Sequence, residues 1–177
     1  MIYVFLADGF EEIEALGTVD ILRRAGLSVQ TVGVGTTAVT GSHGIVVKAD
    51  IAEQNVNLDA IDAVVLPGGM PGTRNLEQST IVQEVIAATV KAKKIVAAIC
   101  AAPSILGHSG YLTGHKATCY PGFEDSLDIA LPMPVVTDGL FTTGRGPGVT
   151  VDFALELVKR LVSAEASEQI RRSMQCP

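Results

Sequence analysis

Lys93-Lys94-Ile95-Val96-Ala97-Ala98-Ile99-Cys100-Ala101-Ala102-Pro103 is the stretch on which the fold of this 177-residue chain turns. The two lysines close a helix-like region, and Ile95 to Ile99 form a continuous apolar run. Its length and composition predict a strand covered on both faces of a parallel sheet. Cys100 falls where that run stops. A proline at position 103 is tolerated in a helix only within the first turn, which predicts a helix starting just after the cysteine. A strand, a reactive residue, small neighbours and then a helix make up a nucleophile elbow, where the side chain stands clear of the sheet. The partial positive charge of a helix start also favours a thiolate. Buried cysteines are equally common as core residues, so placement alone leaves both roles open.

Working outward, Ile2 to Leu6 reads as a buried strand, and residues 7 to 10 as a turn. Glu11 to Ala25 reads as a helix closed by Gly26. Acidic residues belong in a helix's first turn because they complement its dipole, and that suffices for two of Glu11, Glu12 and Glu14. Glu14, between Ile13 and Leu16, lies on or near the apolar stripe and is expected to point inward. A desolvated carboxyl there has a raised pKa and is a candidate acid/base. Ser28 to Val34 is a second strand. Gly33-Val-Gly-Thr-Thr-Ala38 has the letters of a dinucleotide fingerprint, but it follows the second strand and opens no helix, so it is not read as one. Residues 45 to 48 are expected to pair in a hairpin with those near Ala38, and 50 to 62 to form a polar connection.

Ala63 to Leu66 is another buried strand, ended by Pro67-Gly68-Gly69. Adjacent glycines at a strand's carboxyl end allow close backbone approach to a ligand, although they also serve ordinary tight turns. Ligands of open α/β sheets bind at those ends, so the pair could lie beside Cys100. Thr80 to Ala92 has the spacing of an amphipathic helix. After the elbow come a short strand at 116 to 120, one helical turn at 123 to 127 and a hairpin turning at Asp138-Gly139. Helices at 149 to 162 and 165 to 174 close the chain. The Gly144-Arg145-Gly146-Pro147-Gly148 loop lacks the Gly-Lys-Ser/Thr ending of a phosphate-binding loop. Alternating strands and helices give the fold class: α/β, a flavodoxin-like doubly wound, mainly parallel sheet with helices on both faces.

The length suits one domain, 1–177. A formal net charge of −6 is unlike a nucleic-acid-binding surface. No apolar stretch approaches a membrane span, and the short N-terminal run lacks a signal peptide's basic flank. Three cysteines without a CxxC pair point to neither a disulfide framework nor a zinc site. A soluble cytoplasmic protein with no nucleic-acid and no membrane partner is expected.

Five segments converge on a known family: Asp8-Gly9-Phe10-Glu11-Glu12-Ile13-Glu14-Ala15, Asp20 to Gly26, Val64 to Gly69, Ile99-Cys100-Ala101-Ala102-Pro103 and Arg145 to Gly148. In this order they resemble the ThiJ/PfpI superfamily, in the branch of the parkinsonism-associated protein deglycase. The resemblance implies the three-layer sandwich of class I glutamine amidotransferases, a homodimer and no metal or organic cofactor. It maps the reactive cysteine onto Cys100, its partner glutamate onto Glu14, and oxyanion-binding amides onto Gly69 and Ala101. Gly68, Tyr120, Arg24 and His43 are possible pocket residues. His43 falls near a position where relatives often carry an arginine reaching a neighbouring active site. Tyr120 stands where many relatives carry histidine, and Ala101 where the peptidase-like branch has one, so a peptidase is not expected. The implied function is glutathione-independent processing of a small reactive aldehyde or glycated substrate, by a glyoxalase or deglycase reaction. The alternative is a non-catalytic oxidative-stress sensor or redox-regulated chaperone acting through Cys100. Cys119 is close enough in sequence to the expected pocket for a resolving role.

Overall fold

The computed structural model describes residues 1–176. In chain order the elements are β1 (Ile2–Leu6), α1 (Glu12–Arg24), β2 (Val29–Gly33), β3 (Ala38–Thr40), β4 (Val46–Lys48), β5 (Ile51–Ala52), β6 (Ala63–Leu66), α2 (Gly72–Gln78) and α3 (Thr80–Lys91). Then follow β7 (Ile95–Ile99), α4 (Pro103–His108), β8 (Lys116–Ala117), β9 (Ile129–Ala130), β10 (Val135–Asp138), β11 (Phe141–Gly144), α5 (Thr150–Leu161) and α6 (Ala164–Ser173). Seven strands form the central sheet in the order β10-β11-β7-β6-β1-β2-β5, parallel except for the β10–β11 hairpin.

Because side chains alternate along a strand, the apolar runs feed two cores at once. Tyr3, Phe5, Val64, Leu66, Val96 and Ala98 face α2, α3 and α4. Ile2, Val4, Ala63, Val65, Ala97 and Ile99 face α1, α5 and α6. This is why the β1, β6 and β7 sequences are apolar throughout rather than alternating: neither face meets water.

The chain reverses its winding at β1. It moves outward to β2, then returns to place β6 on β1's other side. The loops leaving β1 and β6 part at such a switch point and leave a crevice at the carboxyl ends of the strands. β7 is next to β6, so its elbow opens onto the same crevice.

Three parts of the sheet and its edges differ from the sequence expectation. The 50 to 62 connection contributes an edge strand, β5, together with two short 3-10 turns. The segment at 116 to 120 is extended but pairs over only two residues, with β9. The helix α2 was not anticipated: Pro71, Gly72 and Asn75 read as turn residues, yet buried Thr73 and Leu76 anchor the segment to the core.

Candidate active site

The site is assembled around Gly68. Its carbonyl accepts the Glu11 N–H at 2.9 Å, and its N–H donates to Glu14 Oε2 at 2.8 Å. Glu11 is the N-cap of α1, with its own carboxylate accepting the Glu14 N–H at 2.8 Å. The helix start is thus bolted to the β6 end through main chain and side chain together. A Cβ added at Gly68 would lie 2.6 Å from Cys100 Cβ and 2.9 Å from Glu14 Oε2. Only glycine lets the thiol and the carboxyl come together here.

Cys100 occupies the left-handed region at φ 65°. A non-glycine residue held there costs about 1–3 kcal/mol and persists only where its surroundings over-determine it. Here its N–H donates to the Gly144 carbonyl at 2.9 Å, and its carbonyl accepts the Tyr120 N–H at 2.7 Å. Pro103 takes the first turn of α4. The amides of Gly69 and Ala101 lie close enough to the Cys100 thiol to pull its pKa down.

Glu14 is fully buried, at 0% exposure. Burial raises its carboxyl, the Gly68 amide and Cys100 oppose the rise, the Glu11 charge adds to it, and the balance is about 7. Its Oε1 has no hydrogen-bond partner among the described residues. Cys100 is 8% exposed. Its thiol is pushed up to about 12 by burial, then by the charge of Glu14 and their mutual hydrogen bond, against the pull of the two amides. This differs from the thiolate that an elbow at a helix start suggests. The dominant physical facts are desolvation and a carboxylate neighbour, and they act as one coupled titrating pair. Protonating Glu14 removes the repulsion and turns the carboxyl into a donor toward the sulfur.

The other candidates separate. Tyr120 is 47% exposed beside Gly146, with its main chain bonded to Cys100. Arg24 is not in the crevice: it lies in the last turn of α1, a helix length from Glu14, and pairs with Asp20 at 2.7 Å on the surface. His43 sits on the loop between β3 and β4 and contacts Glu12 at 2.9 Å rather than Cys100. Burial would raise the Glu12 carboxyl, but hydrogen bonds from the His43 ring, the His43 N–H and the Ile45 N–H outweigh it and hold it at about 2. Glu11, Glu12 and His43 each bring one potential metal-ligand atom within 4.8 Å of the others. Their existing hydrogen bonds already explain the cluster as a tie between α1 and that loop. Glu11 and Glu12 are therefore buried structural anchors, not solvated dipole partners.

Cys119 packs with the α3 and α4 core and Cys100 with the α1 and α5 core, and both are free thiols. Sequence reading missed two positions: Glu11 as the bolt, and Gly144 as acceptor of the Cys100 amide. The first had a local signal, because a cap three residues before Glu14 has the spacing of a helix N-terminus.

A doubly wound sheet with an elbow cysteine, a buried glutamate and two amides beside the thiol defines an elbow-cysteine α/β protein. The DJ-1/PfpI family model matches residues 1–160, and the chain belongs to that family. It is 35% identical to the Parkinson disease protein 7 homolog of Danio rerio, over 95% of this chain and 93% of that one. It is also 34% identical to a protein named a deglycase from Pyrococcus abyssi, over 90% and 98% of the respective chains. The solved structure of oxidized DJ-1 from Toxoplasma gondii superposes with a TM-score of 0.95 at 34% identity, covering 98% of this chain and 97% of that one. The fold is that of class I glutamine amidotransferases, as expected. Among the described residues no helix is long and apolar enough to cross a membrane.

The raised carboxyl makes stability depend on pH. A group raised from 4.5 to about 7 stabilises the fold fully below its unfolded value, and that contribution is lost as pH rises through about 7. Glu14→Gln keeps the acceptor for Gly68 without the charge. In urea titrations it should match wild type near pH 4 and exceed it by about 3 kcal/mol near pH 8.

Proposed function

We propose that the protein is a cytoplasmic enzyme that processes reactive carbonyls at Cys100 without glutathione. A 2-oxoaldehyde such as methylglyoxal would be converted to a 2-hydroxy acid, or early glycation adducts would be reversed by the same chemistry. The observation that carries this reading is the direct pairing of Cys100 with a carboxyl whose pKa is about 7. A thiol this basic is a poor nucleophile by itself, and a carboxylate in contact with it supplies the missing base.

The steps follow from that pair. Glu14 takes the thiol proton as sulfur bonds to the aldehyde carbon. The amides of Gly69 and Ala101 hold the oxyanion until it is protonated, giving a hemithioacetal. Glu14, again a carboxylate, removes the proton from the former aldehyde carbon and returns it to the adjacent carbon, while the hydroxyl proton passes to the former ketone oxygen, leaving a 2-hydroxy thioester. Water cleaves the thioester, releasing the acid and restoring the thiol. The sum is aldehyde plus water to 2-hydroxy acid, with no oxidant or cofactor consumed. A carboxyl titrating near 7 suits a group that must act as base and acid in the same cycle.

A sensor role is the second reading. It is favoured by the buried Glu14 carboxyl paired with Cys100, with its Oε1 unpartnered, which in its protonated form could hydrogen-bond a sulfinate once Cys100 is oxidised by a peroxide.

A second copy of the chain is the expected partner. Ile13, Ile45 and Val46 are large apolar side chains left exposed on α1 and the neighbouring β3–β4 region, which the Ile45 N–H ties to Glu12. Light scattering should give twice the monomer mass for wild type and the monomer mass for Ile13→Glu; a monomeric wild type would contradict the assembly.

Turnover of methylglyoxal to the hydroxy acid, without glutathione, should vanish in Cys100→Ser and fall about 10²–10⁴-fold in Glu14→Gln. Full activity in Glu14→Gln would remove the proton-shuttle step, and no activity in wild type would leave the sensor reading.

A further inference from the structure

Beside Cys100 lies a groove of about 390 Å³, walled by Tyr120 and Pro121 on one side and by Gly146, Pro147 and Val149 on the other. Both walls are tied to the nucleophile's own main chain. The Tyr120 N–H donates to the Cys100 carbonyl, and the Cys100 N–H donates to the Gly144 carbonyl at the root of the second wall. Val149 packs in the same core as Cys100. The groove is therefore held in fixed register with the thiol.

Its walls are mainly apolar, with Arg145 as the one charged residue lining it. The other side chains are an aromatic ring, two prolines and a valine, and Gly146 brings bare backbone to the face of the Tyr120 ring. A Cβ at Gly146 would sit 3.2 Å from the ring's Cδ2. Arg145 lines both this groove and a small neighbouring cavity that holds Cys119 and Glu124. Tyr120 is half exposed at the rim of the groove. Burial does not account for an aromatic ring at this rim.

The size also matters. The methyl of methylglyoxal occupies roughly the volume of one water, ~30 Å³, and would leave the groove empty. Ligand-sized pockets begin at about 300 Å³. We propose that Tyr120 is a specificity-determining residue, and that the preferred substrates are 2-oxoaldehydes bearing an aryl or bulky alkyl group that lies against its ring. This rests on the carbonyl-processing reading and names the substrate class for that site. The carbonyl end is handled by Cys100, Glu14 and the two amides as before; the groove adds binding of the substituent.

Two experiments keep the inference and its premise apart. In initial-rate assays, kcat/KM for phenylglyoxal should exceed that for methylglyoxal in wild type. The ratio should fall about tenfold in Tyr120→Ala and be retained in Tyr120→Phe, since the ring and not the hydroxyl forms the contact. Cys100→Ser sets the background for non-enzymatic modification. The second readout needs no turnover: the rate of Cys100 alkylation by N-benzyl iodoacetamide relative to iodoacetamide. The same ordering is expected, with Tyr120→Ala alone losing the preference for the benzyl reagent. If wild type turns over neither aldehyde, the carbonyl-processing reading fails, and the alkylation ratio still decides whether the groove recognises an aryl group. Equal ratios in wild type and Tyr120→Ala, in either assay, would overturn the role of Tyr120.

Discussion

The structure of the site depends on one residue, Gly68, whose N–H and carbonyl both hold the start of α1. Its carbonyl fixes the Glu11 amide and its N–H fixes the Glu14 carboxyl, while its missing side chain leaves room for Cys100. Three segments far apart in sequence therefore meet at one residue. If the Gly68 hydrogen bond to Glu14 were lost, a fully buried carboxyl would have no donor except the thiol, and burying a polar group without a partner costs about 1–3 kcal/mol.

The arrangement stores free energy where the chemistry is placed. Cys100 sits in a backbone region disfavoured for its type, and Glu14 is held out of water with one oxygen unpartnered. Both are maintained by rigid surroundings: the parallel β6–β7 pairing, the Gly144 carbonyl behind the Cys100 amide, and a core on each face of the sheet. Desolvation does two things together here. It keeps the thiol protonated at rest, and it lifts the carboxyl to a value at which it can give and take a proton near neutrality.

Most of the architecture was legible because it rests on local patterns. Continuous apolar runs marked the inner strands, Pro103 marked the helix after the elbow, and the spacing of Glu14 among Ile13, Leu16 and the other glutamates marked an inward carboxyl. What could not be read depends on tertiary placement. The helix α2 has turn-like composition and is held by Thr73 and Leu76 against the core. Arg24 belongs to a matching segment of sequence but falls at the far end of α1, because thirteen helical residues carry it away from the crevice. The helix-start argument correctly placed Cys100 but not its charge state, since the burial and the neighbouring carboxylate that set it come from other segments. Cys119 is counted with one core and Cys100 with the other, a difference set by how their loops leave the sheet rather than by any local pattern.

The measurement that tests this account most directly is a carbon-detected NMR titration of the Glu14 side-chain carboxyl in wild type and in Cys100→Ser. The account predicts a carboxyl titrating near 7 in wild type and a changed midpoint when the thiol is replaced, because the two groups titrate as a pair. A Glu14 carboxyl that titrates at its ordinary value near 4.5, indifferent to Cys100, would contradict it.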